Sequence, residues 1–269
     1  MNTSKLTPGP IAARVLFALA MGFTILWSYG VPELPMFQQP ELARIFFWHF
    51  PCPMIASILL MVGAYQSFRY IRTNDLKWDV RAAAALELAM IFCLLTMATG
   101  MLFSRVQWGA WWQNDPRQTS FLLVLMILFA YFVLRGAFQD RMRKAAYAGG
   151  YALAAILPIL FLIFVFPNLP PIAAASFHPS NTIWSGQVKG SYAEVVIATT
   201  TLTSLLAIWL VRLRVRAGDL ELETYESIGL ETDGGDPAAP RVVRPVRLLA
   251  SSGIQAPEGA GAPDGAGQP

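Results

Sequence analysis

The residues best suited to hold a metal-bearing ligand in this sequence are its two histidines, His49 in FFWHFPCP and His178 in ASFHPS. Imidazole nitrogens are the usual protein ligands of haem iron, and a pair of them can hold one iron between two segments of chain. The same pair is a poor zinc site, because structural zinc takes four protein ligands and catalytic zinc usually three. A lone histidine near an interface is most simply a hydrogen-bonded polar residue. Two that share a face, with none elsewhere, shift the reading toward ligation. Cys52 and Cys93 lie far apart inside apolar stretches and form neither a C-x-x-C pair nor a C-x-x-C-H site, which argues against thiol redox chemistry and covalent haem carriage.

Between the histidines lies QWGAWWQNDPRQTS, residues 107 to 120. The i, i+3, i+4 spacing of Trp108, Trp111 and Trp112 predicts three indoles on one side of a short helix lying along a membrane surface. An aromatic belt would account for a single tryptophan at that depth. Three within five residues, followed by Asp115 and Arg117, read instead as a flat binding platform. Indole faces stack on planar aromatic ligands, and Arg117 is suited to a carboxylate at the ligand's edge. Asp115 is expected to orient Arg117 or the loop backbone rather than touch iron. Haem has the matching features: a planar apolar middle, two propionates and an iron seeking axial nitrogen.

The elements that position these residues follow from composition. Hydrophobic residues make up 55% of the 269 and charged residues 14%, with a mean hydropathy of +0.47. Globular domains carry about 25% charge, so the expected class is an all-α, polytopic membrane protein. A bilayer core about 30 Å thick needs about 20 apolar residues per helix. Six runs meet that need, near residues 13 to 30, 46 to 68, 82 to 104, 119 to 138, 146 to 167 and 192 to 211. The first, after Lys5 and Arg14, is read as a retained helix and not a signal peptide, since VPELP offers no small-x-small cleavage site. Alternate loops hold 13 basic residues against 4, the four being Arg44, Arg105, Arg117 and Lys189. By the positive-inside rule both termini are cytoplasmic, and both histidines and the tryptophan-rich loop face outward. The +3 net charge therefore reflects topology and not nucleic-acid binding. The expected division is a six-helix membrane domain over residues 1 to 216 and a disordered cytoplasmic tail over 217 to 269, whose Gly, Pro and acidic composition cannot bury enough surface to offset ordering.

The stretch WGAWWQNDPRQTS resembles the tryptophan-rich WWD signature of the haem-handling proteins of cytochrome c assembly. The six-helix layout, with His49 before the second span and His178 after the fifth, is similar to their CcmC-like branch, the haem exporter protein C family, over about residues 10 to 211. The resemblance implies a cell-membrane protein of cytochrome c-type biogenesis that binds haem b non-covalently and exchangeably. Its binding set would be His49, His178, Trp108, Trp111, Trp112, Asp115 and Arg117, with the histidines on the metal. It also implies haem transport toward a haem chaperone and apocytochrome c, with no enzymatic step. Its partners would be haem, membrane lipid, that chaperone and the subunits of an ABC transporter, because the chain has no G-x-x-x-x-G-K-[ST] loop of its own. Asn114, Pro116, Gln118 and Pro179 depart from the family's usual residues at those places.

Two functions of other classes compete. An electron-transfer cytochrome b subunit usually holds haem with histidines buried within spans, and often with four of them. A haem-independent solute transporter would show midplane polar residues. Here Glu87 is the ionisable residue well inside a run, and it is open between a functional role, snorkelling, and pairing with Arg81 or a neighbouring helix. Glu194, Arg44 and Arg105 are open between lining the site and meeting lipid headgroups. Pro51 and Pro53, in the first turn after His49, are expected to fix how that histidine projects.

Overall fold

The computed structural model describes residues 8–33, 37–178 and 188–232. Among them the regular structure is entirely helical: α1 (Pro8–Gly30), α2 (Phe46–His49), α3 (Pro51–Thr73), α4 (Leu76–Trp108), α5 (Pro116–Gly136), α6 (Arg141–Leu160), α7 (Pro170–Ala174) and α8 (Gly190–Thr232). A 3-10 turn, Leu42–Ile45, leads into α2, and α6 continues through a π turn, Phe161–Val165, and a 3-10 turn, Phe166–Asn168. Six stretches are long and apolar enough to cross a membrane: Ile11–Gly30, Leu42–Thr73, Leu76–Trp108, Pro116–Gly136, Arg141–Asn168 and Gly190–Ser227. They coincide with the six runs expected, and the chain is a multi-pass, all-α membrane protein. The contacts divide it into units 1–223 and 224–269; in the second, the described residues are helical, with the Ser227 hydroxyl donating to Thr224 O at 2.8 Å.

Helix ends follow local chemistry. Asp75, Asp115 and Asp140 each accept a backbone N–H in the first turn of α4, α5 and α6, the N-cap arrangement that satisfies otherwise orphan donors. Pro51 and Pro116 occupy first helical positions, where a missing N–H costs nothing. Pro158 inside α6 removes one ladder bond, and the helix loosens into its π turn three residues later.

The core lies between α3, α4, α5 and α6, around Leu60, Leu86, Cys93, Val124, Leu128 and Tyr131. Small residues bring helices close, since a Cβ on Gly63 would fall 2.5 Å from Leu86 Cγ. A second cluster joins Phe47 of α2 to Tyr192, Val195 and Val196 of α8, with the Phe47 and Tyr192 rings 4.3 Å apart. Two pairs of opposite charges meet between helices. Arg135 grips Asp79 with two hydrogen bonds of 2.7 Å, and Arg214 of α8 donates to both oxygens of Glu87 at 2.5 and 3.1 Å. Glu87 thus pairs with a neighbouring helix, neither snorkelling nor meeting Arg81, because leaving either charge alone in an apolar span costs far more.

One expectation needs correction. The last helix does not end at 216, where the tail was expected to begin, but runs to Thr232. The segment LELETYES is rich in good helix formers, Leu222 is buried and Arg214 Nη1 lies 3.9 Å from Glu221. The Gly- and Pro-rich remainder of the expected tail lies outside the described residues.

Candidate functional site

α4 carries a polar and small stripe toward its C-terminal end, Thr96, Thr99, Gly100, Phe103, Ser104 and Gln107, spaced by threes and fours and so lying on one face. His49, at the end of α2, packs on this stripe. Its Nδ1 lies 2.9 Å from Thr99 Oγ1, and its ring is stacked at 20° to Phe103 with centroids 6.5 Å apart. Gly100 makes room for it, since a Cβ there would sit 3.1 Å from His49 Cε1. The Thr99 hydroxyl is also 2.6 Å from Leu95 O, to which it donates its one proton. His49 Nδ1 must therefore be the donor to Thr99, which leaves the lone pair on Nε2.

His178 reaches the same place from the segment after α7. Its Nδ1 lies 3.2 Å from Asp115 Oδ1, and its ring makes an edge contact with Trp108, centroids 5.0 Å apart. Trp108 in turn meets Phe103 edge-on at 5.6 Å. The sequence His49, Phe103, Trp108, His178 is thus a continuous run of ring contacts joining the two histidines.

Asp115 organises the second half of this arrangement. The carboxylate is fully buried and accepts from Arg117 N at 2.8 Å, Ser176 Oγ at 2.8 Å and Phe177 N at 2.6 Å, besides His178. Burial alone would raise its carboxyl. The hydrogen bond and charge of His178, the Ser176 hydroxyl and the Arg117 amide outweigh that and hold it well below the usual carboxylate range. An ionised Asp115 can only accept, so His178 Nδ1 donates, and in the neutral imidazole Nε2 then carries the lone pair. A carboxylate on one imidazole nitrogen fixes the ring's orientation and leaves the other nitrogen for a metal.

The tryptophans are not carried on the expected short helix. α4 ends at Trp108 because Gly109 adopts φ +83° and caps it, so residues 109 to 115 are not helical and the i, i+3, i+4 argument does not apply. Trp108 alone joins the ring run, with Phe177 also 5.7 Å away. Trp111 is 53% exposed. Trp112 Nε1 donates to Asn114 Oδ1 at 2.9 Å.

The residues that depart from the usual family pattern shape this loop. Asn114 takes a left-handed conformation, φ +52°, and holds Trp112. Pro116 is the first residue of α5. Buried Gln118 accepts from Gln113 N at 3.1 Å and donates to Trp111 O at 3.4 Å, so it closes the loop on itself.

Arg117 does not fold back on Asp115. Its Nη2 donates to Asn168 Oδ1 at 3.2 Å, while its Nε is buried with no hydrogen-bond partner. A buried orphan donor suits an anionic acceptor such as a propionate. Arg44 and Arg105 have structural employment: Arg44 donates to Ser28 O at 2.6 Å and Val31 O at 3.1 Å at the end of α1, and Arg105 donates to Gly109 O. Glu194 is exposed. Thr99, Gly100, Phe103, Ser176 and Asn168 went unread in the sequence; for the first three the small and polar stripe interrupting an apolar run was the available signal.

The residues present fit haem by their donor set, two imidazoles each fixed through Nδ1 with Nε2 left over, and by the orphan Arg117 Nε. The family model for heme exporter protein C matches residues 3–220. Among curated relatives, heme exporter protein C of Escherichia coli K12 is 30% identical over 174 residues, 62% of this chain and 63% of the relative. That of Haemophilus influenzae is 29% identical over 158 residues, 56% and 61%, and that of Paracoccus denitrificans 29% over 117 residues, 43% and 47%. The aligned stretches thus span from about half to just under two thirds of these relatives' lengths.

Proposed function

This chain belongs to the heme exporter protein C family, and from that membership we propose that it binds haem b, without a covalent bond and exchangeably, between His49 and His178. The cargo is then presented to a haem chaperone for delivery to apocytochrome c. The observation that carries this reading is the matched preparation of the two imidazoles: Thr99 and Asp115 each engage Nδ1, and Phe103 and Trp108 link the rings. His49 and His178 would hold the haem iron through their Nε2 atoms.

The other residues act on position. Trp108 buttresses His178 and offers an aromatic face or edge to the porphyrin, and Arg117 Nε is suited to a propionate. Trp111, which is exposed, and Trp112, which is held by Asn114, are suited to lipid or to the chaperone. Ligation and stacking without covalent attachment would suit a protein that must release its cargo. The excess of basic residues at one set of loops supports a cytoplasmic-membrane topology with cytoplasmic termini and the histidines on the outer face. ABC-transporter subunits would supply the ATP hydrolysis for which this chain has no phosphate-binding loop motif.

The test is the absorption spectrum of the purified protein, oxidised and reduced, for the parent and for His49→Ala, His178→Ala and the double variant. Each single change should shift the bands or lower haem occupancy, and the double change should remove most of it. Unchanged spectrum and occupancy in the double variant would sink the ligand assignment. Stoichiometric haem that titrates reversibly but never exchanges would favour an electron-transfer cytochrome instead.

A further inference from the structure

α3 and α4 each run the length of the bundle, so the end opposite the histidines is formed by the last turns of α3, the first turns of α4 and the middle of α8. There a cleft of about 370 Å³ is lined by Gln66, Arg81, Arg212, Arg216 and Asp219, with valines of α3 and α8 along its flank. Its walls are fixed. Arg214 is bound to Glu87, and α8 approaches α4 so closely at Gly218 that a Cβ would fall 2.6 Å from Val80 Cγ1.

Three guanidiniums against one carboxylate leave the cleft cationic, and Asp219 trims that charge without cancelling it. Gln66 supplies a different signal: its Oε1 is buried with no hydrogen-bond partner, an acceptor that asks for a donor. Gln66 lies seven residues before the end of α3 at Thr73, about 10 Å down the helix at 1.5 Å per residue, and Arg81 lies five residues into α4. That is headgroup depth for a spanning helix. A ligand that satisfies all of this has an anionic phosphodiester for the arginines, a free hydroxyl for Gln66 and an apolar chain for the valines.

We propose that this cleft binds the headgroup of an anionic glycerophospholipid bearing a free hydroxyl, of the phosphatidylglycerol type, with Arg81, Arg212 and Arg216 on the phosphate and Gln66 Oε1 accepting from the headgroup hydroxyl. The site is separate from the histidines and does not depend on haem. It ties α8 to α3 and α4 through a lipid and makes that contact sensitive to membrane composition.

The experiment is native mass spectrometry of the purified full chain, delipidated and then offered phosphatidylglycerol, phosphatidic acid, phosphatidylcholine or inorganic phosphate at matched ionic strength. Phosphatidylglycerol should be retained over phosphatidylcholine. Gln66→Leu, which alters no charge, should weaken phosphatidylglycerol about fivefold, the worth of one hydrogen bond, and leave phosphatidic acid unchanged. Replacing the three arginines by Gln should weaken both anionic lipids by at least about tenfold. Replacing them by Lys, which keeps the charge that governs insertion, should weaken both by a smaller factor because the bidentate geometry is lost. Inorganic phosphate displacing phosphatidylglycerol at equal concentration would make this a free-anion site and overturn the lipid assignment. So would unchanged lipid retention in the Gln triple variant, or an equal effect of Gln66→Leu on both anionic lipids.

Discussion

His178 Nδ1 stands 3.2 Å from Asp115 Oδ1, and the aspartate that receives it is also the cap of α5. One buried carboxylate therefore starts a membrane helix, binds two groups of the segment after α7, and sets which imidazole nitrogen is left for a ligand. The start of α5 and the loop before α8 are held to each other through it.

Replacing Asp115 separates these duties. Asp115→Asn with its oxygen at the Oδ1 position keeps an acceptor for the Arg117 amide and His178 but places an NH₂ where Ser176 Oγ and Phe177 N need one, and the flipped amide takes the acceptor from Arg117 N and His178 instead. Haem affinity should fall about 10- to 100-fold, the usual cost of losing the hydrogen bond that orients a metal-binding histidine. Asp115→Ala should also lose the helix cap, about 1 kcal/mol. Haem titration together with melting temperature in detergent reads both, and an Asn variant that binds haem like the parent would contradict the orienting role.

On the other side of the site, Thr99→Val removes the acceptor for His49 Nδ1 while keeping the shape. Haem retention should drop by about tenfold or more, and Thr99→Ser should recover most of it. The comparison to make is haem occupancy after gel filtration. Equal losses in Val and Ser would indicate a packing effect and not a lost hydrogen bond.

The tryptophans should behave unequally, contrary to the expectation of three equivalent stacking faces. Trp108→Ala removes contacts to Phe103, Phe177 and His178, each aromatic pair contributing about 0.5–1.5 kcal/mol beyond buried area. It should lower haem retention well beyond tenfold. Trp111→Ala, at a side chain 53% exposed, should leave haem bound and reduce co-purification of the haem chaperone. A reversal of that order would point to a rearranged loop in the loaded protein.

Orientation can be checked without haem. A reporter fused after Arg216 should signal a cytoplasmic position and one inserted near Asn181 an external one, given 13 basic residues on one side and 4 on the other. Inverted signals would move the histidines to the cytoplasmic face and overturn the direction of haem presentation.

Much of this protein could be read from its residues alone. Hydropathy sets the number of spans because a bilayer accepts only helices of one minimal length. The placement of His49 and His178 next to spans, and of Trp108 beside Asp115, is a matter of chain position. What hydropathy cannot register is a helix end made by one glycine: Gly109 at φ +83° broke the spacing argument for Trp108, Trp111 and Trp112. Nor does it register partners distant in sequence. Glu87 with Arg214 and Asp79 with Arg135 are ion pairs, and Asp115 with His178 is a hydrogen bond, between residues 127, 56 and 63 apart in sequence, and only packing brings them together. The donor atoms of the site were thus legible as residue types, while the choice of Nε2 on each histidine depended on Thr99 and Asp115, which only the folded chain brings within reach.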